Sequence, residues 1–319
     1  MIEVSFSKAA VTLAHLKAQL ASILELFDPQ SRIFYVDYPV HSNIGDLLIN
    51  LGTEQFFLDH HVPIHRRYSV MDMPQIAASE VDGSTTFLCH GGGNFGDLYP
   101  KHQLFRECLL DRFPQARIVF LPQSLHYTSP RAQLSSFEKI AKHQNCHILV
   151  RDRESLLTLQ SVGISHCSLM PDMAHHLWQT LRPARGAVHR REMHFLRQDA
   201  EATCAPSEKL EVFVHHSVDW NRVVSIRNQL LAGGVYWTLK MFGHRLPQHF
   251  NTSMWYMARD RMIADSVTFF SDYERIYTNR LHAMLLALLL GRDVTAFDNS
   301  YGKLSRYITT WLAAVQPET

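Results

Sequence analysis

The stretch RIFYVDYPVHSNIGDLLINLGTEQFFLDHH, residues 32–61, opens on aromatic and β-branched residues, crosses a short polar turn, and continues as leucines and phenylalanines at three- and four-residue spacings. The first part is the pattern of a buried strand, the second that of an amphipathic helix. The same succession recurs downstream. TTFLCHGGG, ARIVFLPQS, HILVRD and CSLMPD read as further strands, and HQLFRECLLDRF, SSFEKIAKH and ESLLTLQSVG as helices between them. Strands alternating with helices imply βαβ units and a mostly parallel sheet.

A polar stretch, LRPARGAVHRRE from Leu181 to Glu192, interrupts this alternation and reads as a domain linker. Beyond it come MHFLRQD, LEVFVHHS, the helical NRVVSIRNQLLAGG and ARDRMIADSVTFFSD, then ERIYTNRLH, an apolar helix, DVTAFDNS and a final amphipathic helix, GKLSRYITTWLAAV. The expectation is an α/β protein of two Rossmann-like domains facing each other across a cleft. Their limits are residues 1–181 and 193–319, with the terminal helix placed to pack back on the first domain. A chain of 319 residues, 46% hydrophobic, can fill two cores of ordinary domain size.

Thirty-one Lys and Arg residues against 30 Asp and Glu leave a formal charge of +1, which gives no basic field for nucleic acid. The 20 histidines are scattered, none in the HExxH spacing of a zinc enzyme. The doublets His60-His61, His175-His176 and His215-His216 point their rings in different directions, so no metal site is expected. Five cysteines, an odd count without CxxC spacing, read as reduced core residues of a cytoplasmic protein. The amphipathic N-terminus lacks the regions of a signal peptide, and the apolar run Ala283 to Leu290 is too short to span a bilayer. Peripheral contact with a membrane stays open.

In open α/β sheets ligands collect beyond the carboxyl ends of the strands. The segments there are HSNIGD, HGGGNFGD, PQSLHY and RDRES. Gly91, Gly92 and Gly93 suit either a tight turn or a close approach of backbone to a ligand. Asp46 and Asp97 each follow a glycine at a strand-to-helix junction, where a carboxylate either accepts a proton from a sugar hydroxyl or caps its helix. His126, after LPQS, can hydrogen-bond a ligand or serve structure alone. In the second half Arg197 and Asp199 follow a strand, as do Arg280 and His282. Asn279 is a candidate helix N-cap, placing Arg280, Leu281 and His282 in the first turn. Cations are unfavourable there unless an anion lies among them. Arg151 and Arg153 add positive groups from the first half, so a cleft drawing arginines from both sides would suit a small, multiply charged anion. Surface arginines in ordinary ion pairs give the same sequence.

Taken together, NIGDLLI, HGGGNFGDLYP, LPQSLHY, VRDRES, PDMAHHL, FLRQD, TNRLHAMLLALLLG and DNSYGK strongly resemble the polysaccharide pyruvyltransferase family, in order from Asn43 to Lys303. The resemblance implies transfer of the enolpyruvyl carbons of phosphoenolpyruvate onto two hydroxyls of a sugar, giving a pyruvate ketal and phosphate. It also implies a GT-B-like fold with the acceptor on the N-terminal side and the donor on the C-terminal side. The family's arginine-leucine-histidine motif matches Arg280, Leu281 and His282, so Arg280 is expected to bind the donor's phosphate or carboxylate and His282 to be the general acid. Asn279 stands where an aspartate or serine often precedes that arginine. Arg197, then Arg151, are the candidates to complete the donor site, Asp46 or Asp97 to take hydroxyl protons. Asn43, Gly45, Gly92, Gly93, Asn94 and His126 are expected in the acceptor or ligand loops. Phosphoenolpyruvate is a substrate, and no cofactor is implied. The acceptor is a saccharide, its attachment to lipid unspecified, and the oligomeric state is open. The competing readings are a nucleotide-sugar glycosyltransferase of the GT-B type and a non-catalytic carbohydrate-binding relative in a polysaccharide assembly system.

Overall fold

The structure is a computed structural model that describes residues 2–72, 76–184, 190–197, 217–298 and 302–313. The chain enters through a short strand, β1 (Ile2–Val4), and a helix, α1 (Phe6–Gln19). It then alternates through β2 (Arg32–Tyr38), α2 (Ile44–Asp59), β3 (Ile64–Ser69), β4 (Thr85–Cys89), β5 (Gly92–Gly96), α3 (Pro100–Arg112), β6 (Arg117–His126), α4 (Pro130–Lys142), β7 (Cys146–Val150), α5 (Arg153–Ser161) and β8 (Cys167–Leu169). These strands form a sheet in the order β3-β2-β4-β6-β7-β8, with β5 alongside the end of β6. All its pairings are parallel, as the alternation of strands and helices predicts. Its central strands are buried on both faces, which is why they read as unbroken apolar runs.

The second half contributes β9 (Arg190–Phe195), α6 (Ile226–Phe242), α7 (Gln248–Ser271), β10 (Tyr273–Thr278), α8 (Leu281–Leu289), β11 (Asp293–Ala296) and α9 (Lys303–Trp311). Strands β9, β10 and β11 are parallel, and β1 closes the edge antiparallel to β11. Residues 1–181 are therefore not one unit. β1 belongs to the second sheet, and α1 is tied to both halves: the Phe6 N–H donates to Asp293 Oδ1 at 3.0 Å and Lys17 Nζ to the Trp178 carbonyl at 3.0 Å. Three residues are too few to show alternation, so the sequence carries no mark of this crossing. α9 returns to the first half, with Trp311 Nε1 donating to the Arg151 carbonyl at 2.7 Å.

The core does not divide at the linker either. One apolar cluster holds Leu47 and Leu48 of α2 together with Met284, Leu285 and Leu288 of α8, while a second fills the opposite face of the first sheet. α8 is buried along its length because it touches α2, β10 and β11 at once. A polar network stitches the same boundary: Arg259 of α7 donates to Asn50 Oδ1 of α2 at 2.6 Å, and the Tyr256 hydroxyl to Glu54 Oε1 at 2.6 Å. Glu54 also takes a bidentate pair from Arg67, both contacts at 2.8 Å.

Several elements depart from the sequence reading. β3 lacks the apolar pattern of the other strands, because its IHRRYS carries consecutive cations on an edge strand. Residues 92–96, read as a turn or ligand loop, form β5 instead, with Gly92 and Gly96 at φ of 125° and 133°. A Cβ on Gly96 would lie 1.8 Å from the His126 carbonyl oxygen, so only glycine permits this pairing. α7 begins at Gln248, ten residues before the segment with clear periodicity. The C-terminal end of the linker, from Arg190, is already strand. LEVFVHHS lies outside the described residues up to its final serine, as does Asp199. Among the described residues the cysteines are free thiols, and no helix is long and apolar enough to cross a membrane.

Candidate active site

The carboxyl ends of β2, β6, β7, β9 and β10 converge on a cavity of about 750 Å³. Both halves line it. Asn43, Gly45 and Asp46 enter from the start of α2, Gly93 and Asn94 from β5, His126 from β6, and Arg151 from the end of β7. Arg197 follows β9, and Arg280, Leu281 and His282 open α8.

The start of α8 differs by one residue from expectation. Asn279 is not the N-cap; Arg280 occupies that position with extended backbone, at φ −108° and ψ 126°. The Asn279 side chain instead accepts the Arg197 N–H at 2.8 Å, coupling the ends of β9 and β10. Among the described residues no side chain caps α8, and its first turn lines the cavity, where the free N–H groups of a helix start suit an anion.

His282 is fixed from two sides. Its Nε2 lies 3.3 Å from Asp172 Oδ2, and its Nδ1 lies 2.6 Å from where a Cβ on Gly45 would stand. Asp172 also receives Arg151 Nη1 at 2.6 Å and the Ala174 N–H at 2.9 Å. Burial opposes ionisation of this carboxyl, but His282, Arg151 and the Ala174 N–H hold it well below the usual carboxylate range. The result is a buried carboxylate that orients one imidazole. Arg151 donates through Nε to Ser124 Oγ at 2.8 Å, and its Nη2 abuts Gly93, where a Cβ would come within 2.9 Å.

Arg280 is paired as well, with its Nη2 2.6 Å from Asp219 Oδ2, a carboxylate whose other oxygen accepts the Trp220 N–H at 2.7 Å. Arg151 and Arg280 thus reach the cavity oriented by internal carboxylates, which reduces the net positive field that unpaired arginines would give. A guanidinium has five donors, so one ion pair leaves the fork able to hold an oxyanion.

On the opposite wall Asn43 caps α2 by accepting the Gly45 N–H at 3.1 Å, and its Nδ2 donates to Asp46 Oδ2 at 2.8 Å. Asp46 faces the cavity, within 3.7 Å of His41 Nε2. Gly92 lies just behind it, a Cβ there falling 3.4 Å from Asp46 Oδ1. Asn94 is held by Arg106, which donates to its Oδ1 at 2.6 Å and its carbonyl at 3.0 Å.

Asp97, read alongside Asp46, is not part of the cavity lining. Its carboxylate accepts the Thr128 N–H at 2.8 Å, the Thr128 hydroxyl at 2.9 Å and the Ser129 N–H at 2.7 Å, which pins the turn before α4. Partial burial opposes this charge, and those donors hold its pKa below the ordinary value. It anchors the turn before α4 and neither lines the cavity nor caps the helix that follows it, so it takes neither of the two roles open to it in the sequence.

Sequence reasoning missed Asp172, Asp219 and a second histidine pair. Asp37, fully buried at φ 64°, sits at a register shift in β2, 2.6 Å from both His102 Nδ1 and Arg106 Nη2. Burial opposes its ionisation, but Arg106 and His102 hold its pKa below the usual value. His102 lines the cavity. A charged residue inside the apolar run RIFYVDYP was the available signal, since a buried carboxylate requires a partner. Among the described residues no three His, Cys, Asp or Glu side chains are grouped to hold a metal.

The fold and site define an α/β protein with a polar cavity at the strand ends, built around oriented arginines and an imidazole–carboxylate pair. Residues 43–301 match the family described as polysaccharide pyruvyl transferase, and the chain belongs to that family. It is 36% identical over 305 residues, 94% of this chain and 91% of that protein, to one described as "Putative pyruvyl transferase EpsO" of Bacillus subtilis (strain 168). It is 25% identical over 292 residues to "Pyruvyl transferase 1" of Schizosaccharomyces pombe, covering 88% of this chain and 70% of that one. A crystal structure of an uncharacterized protein from Klebsiella pneumoniae shares the fold, with a TM-score of 0.64 at 18% identity over 93% of this chain and 94% of that one.

Proposed function

We propose that this protein transfers the pyruvyl group of phosphoenolpyruvate to two hydroxyls of a saccharide, forming a pyruvate ketal and releasing phosphate, within a GT-B-like arrangement. The observation that carries this reading is the placement of Arg280 and His282 at the uncapped start of α8, with Asp172 behind His282. The donor's phosphate and carboxylate would be held by Arg280, Arg197 and the first-turn N–H groups, with Arg151 across the cavity. His282, oriented by Asp172, gives a proton to the methylene carbon, which becomes a methyl group and leaves positive charge on the adjacent carbon. A sugar hydroxyl attacks that carbon and loses its proton to Asp46 or His102. Phosphate then leaves, stabilised by the arginines, and the second hydroxyl closes the ketal as it releases its proton. One proton is taken up at carbon and two are released from the hydroxyls, the second leaving with phosphate. No step needs a cofactor. A cytoplasmic location follows from the donor, a metabolite of that compartment.

The test is to incubate the purified protein with phosphoenolpyruvate and candidate saccharides, free and lipid-linked. Phosphate release matched by a pyruvate ketal in the product's mass and NMR spectrum supports the reading. Turnover with nucleotide sugars alone, or saccharide binding without turnover of any donor, overturns it.

A further inference from the structure

The forty residues from Trp220 to Arg259 contain no aspartate or glutamate, yet hold Arg222, Arg227, Lys240, Arg245 and Arg259. All but Arg259 are exposed. Arg259 turns inward to Asn50 and Asp260. The acids facing this hairpin from α7 are engaged: Asp260 with Arg259 at 2.8 Å, and Asp265 with the Ser225 N–H at 2.8 Å and with Asn228 at 2.8 Å. The same segment concentrates exposed apolar side chains. Ile226, Leu230, Trp237 and Met241 recur at helical spacing on one face of α6, at 76%, 72%, 56% and 59% exposure. Phe242 at the end of α6 and Phe250 and Met257 of α7 are exposed as well. Lys240 Nζ lies 4.7 Å from the centre of the Trp237 ring, a cation beside an indole.

We propose that this α6–α7 hairpin docks on an anionic lipid bilayer. An apolar stripe flanked by cations, with an interfacial tryptophan, is what an interfacial helix presents to acidic headgroups. A second copy of the chain is the poorer occupant, because a two-fold contact through this face sets Arg227, Lys240 and Arg245 against a like-charged surface. The position of the hairpin supplies a use for docking. The inner side of α6, with Ala232 and Tyr236, joins Trp220, Trp255 and Met262 around a second cavity of about 810 Å³ that shares Arg197 and Arg280 with the candidate active site. A docked hairpin holds that entrance at the membrane surface, where an acceptor carried on lipid is presented; this consequence rests on the pyruvyl-transfer reading, whereas docking itself does not.

Flotation of the full chain with phosphatidylcholine vesicles, with and without phosphatidylglycerol, tests it, using Leu230→Glu/Trp237→Glu and Arg227→Gln/Lys240→Gln variants. The expected result is flotation with phosphatidylglycerol vesicles, weakened by salt, reduced roughly fivefold for each cation neutralised and lost in the glutamate variant. Both variants should keep the parent's phosphate release with a water-soluble acceptor, which also shows that they fold. No flotation of the parent, equal flotation of the variants, or a dimer in light scattering that the glutamate variant dissociates without any lipid binding overturns the proposal. Flotation without turnover on any acceptor would leave docking standing and remove the pyruvyl reading alone.

Discussion

His282 Nε2 and Asp172 Oδ2 lie 3.3 Å apart although 110 residues separate them in the chain. Asp172 follows the last strand of the first sheet and His282 opens the buried helix of the second half, so the pair forms only when both halves are folded together. Replacing His282 with Gln should lower kcat by about 10²–10⁴-fold, the range of a lost proton donor. The affinity for phosphoenolpyruvate, read by calorimetry, should change little, and unchanged turnover would remove His282 from the reaction.

Asp172→Asn should act twice. It removes the carboxylate that orients the His282 ring, lowering kcat. It also strands Arg151 in a buried site, at a cost of about 3–5 kcal/mol. The folded pKa of Asp172 is depressed, so its stabilisation is complete above the unfolded value near 4 and is lost only as pH falls through the lower folded value. The stability gap between parent and variant, measured by denaturant titration, should be flat from about pH 5 to 8 and narrow in stronger acid. A gap that widened on acidification would contradict this assignment.

Gly45 and Gly52, one heptad apart on α2, have different neighbours. A methyl at Gly45 meets the His282 ring at 2.6 Å, whereas one at Gly52 meets the Met173 carbonyl oxygen at 2.2 Å. Gly45→Ala should therefore reduce turnover at nearly parental thermal stability, because alanine favours the helix and a side chain can yield. Gly52→Ala should destabilise by about 1–3 kcal/mol, because backbone cannot yield.

Arg280→Ala should weaken donor binding by about 1.5–3 kcal/mol, the value of a charge-assisted contact. Calorimetry with phosphoenolpyruvate measures this directly. Asp219 loses its partner in the same variant, so a drop in thermal stability should accompany the loss, and Arg280→Lys should recover more of the stability than of the affinity.

Asp46 and Asp97 are alike in sequence context and separated by the structure. Asp46→Ala should depress turnover, while Asp97→Ala should leave turnover intact and cost about 0.5–2 kcal/mol of stability, as for a lost cap. Paired assays of activity and melting temperature distinguish them, and an inactive but fully stable Asp97→Ala would restore it to the site.

Much of this architecture is legible in the sequence because it arises within single elements. Residues 32–61 announce a buried strand and a helix through their own spacing, and the apolar run of α8 announces a helix buried on all sides. Arg280 and His282 stand out because cations at a helix start contradict the helix dipole. The strand β1, the pairing of Asp37 with His102 and Arg106 rather than with other cations, and the choice between Asp46 and Asp97 leave no such local trace. Each depends on which strand ends meet. A carboxylate in the sequence has many candidate partners, and burial selects one. The sequence by itself determined the elements and the cationic start of α8, since periodicity and charge placement are properties of a segment. Only the tertiary structure decided that Asp172 stands behind His282 and that one core spans both sheets, because those relations are set by packing between segments distant along the chain.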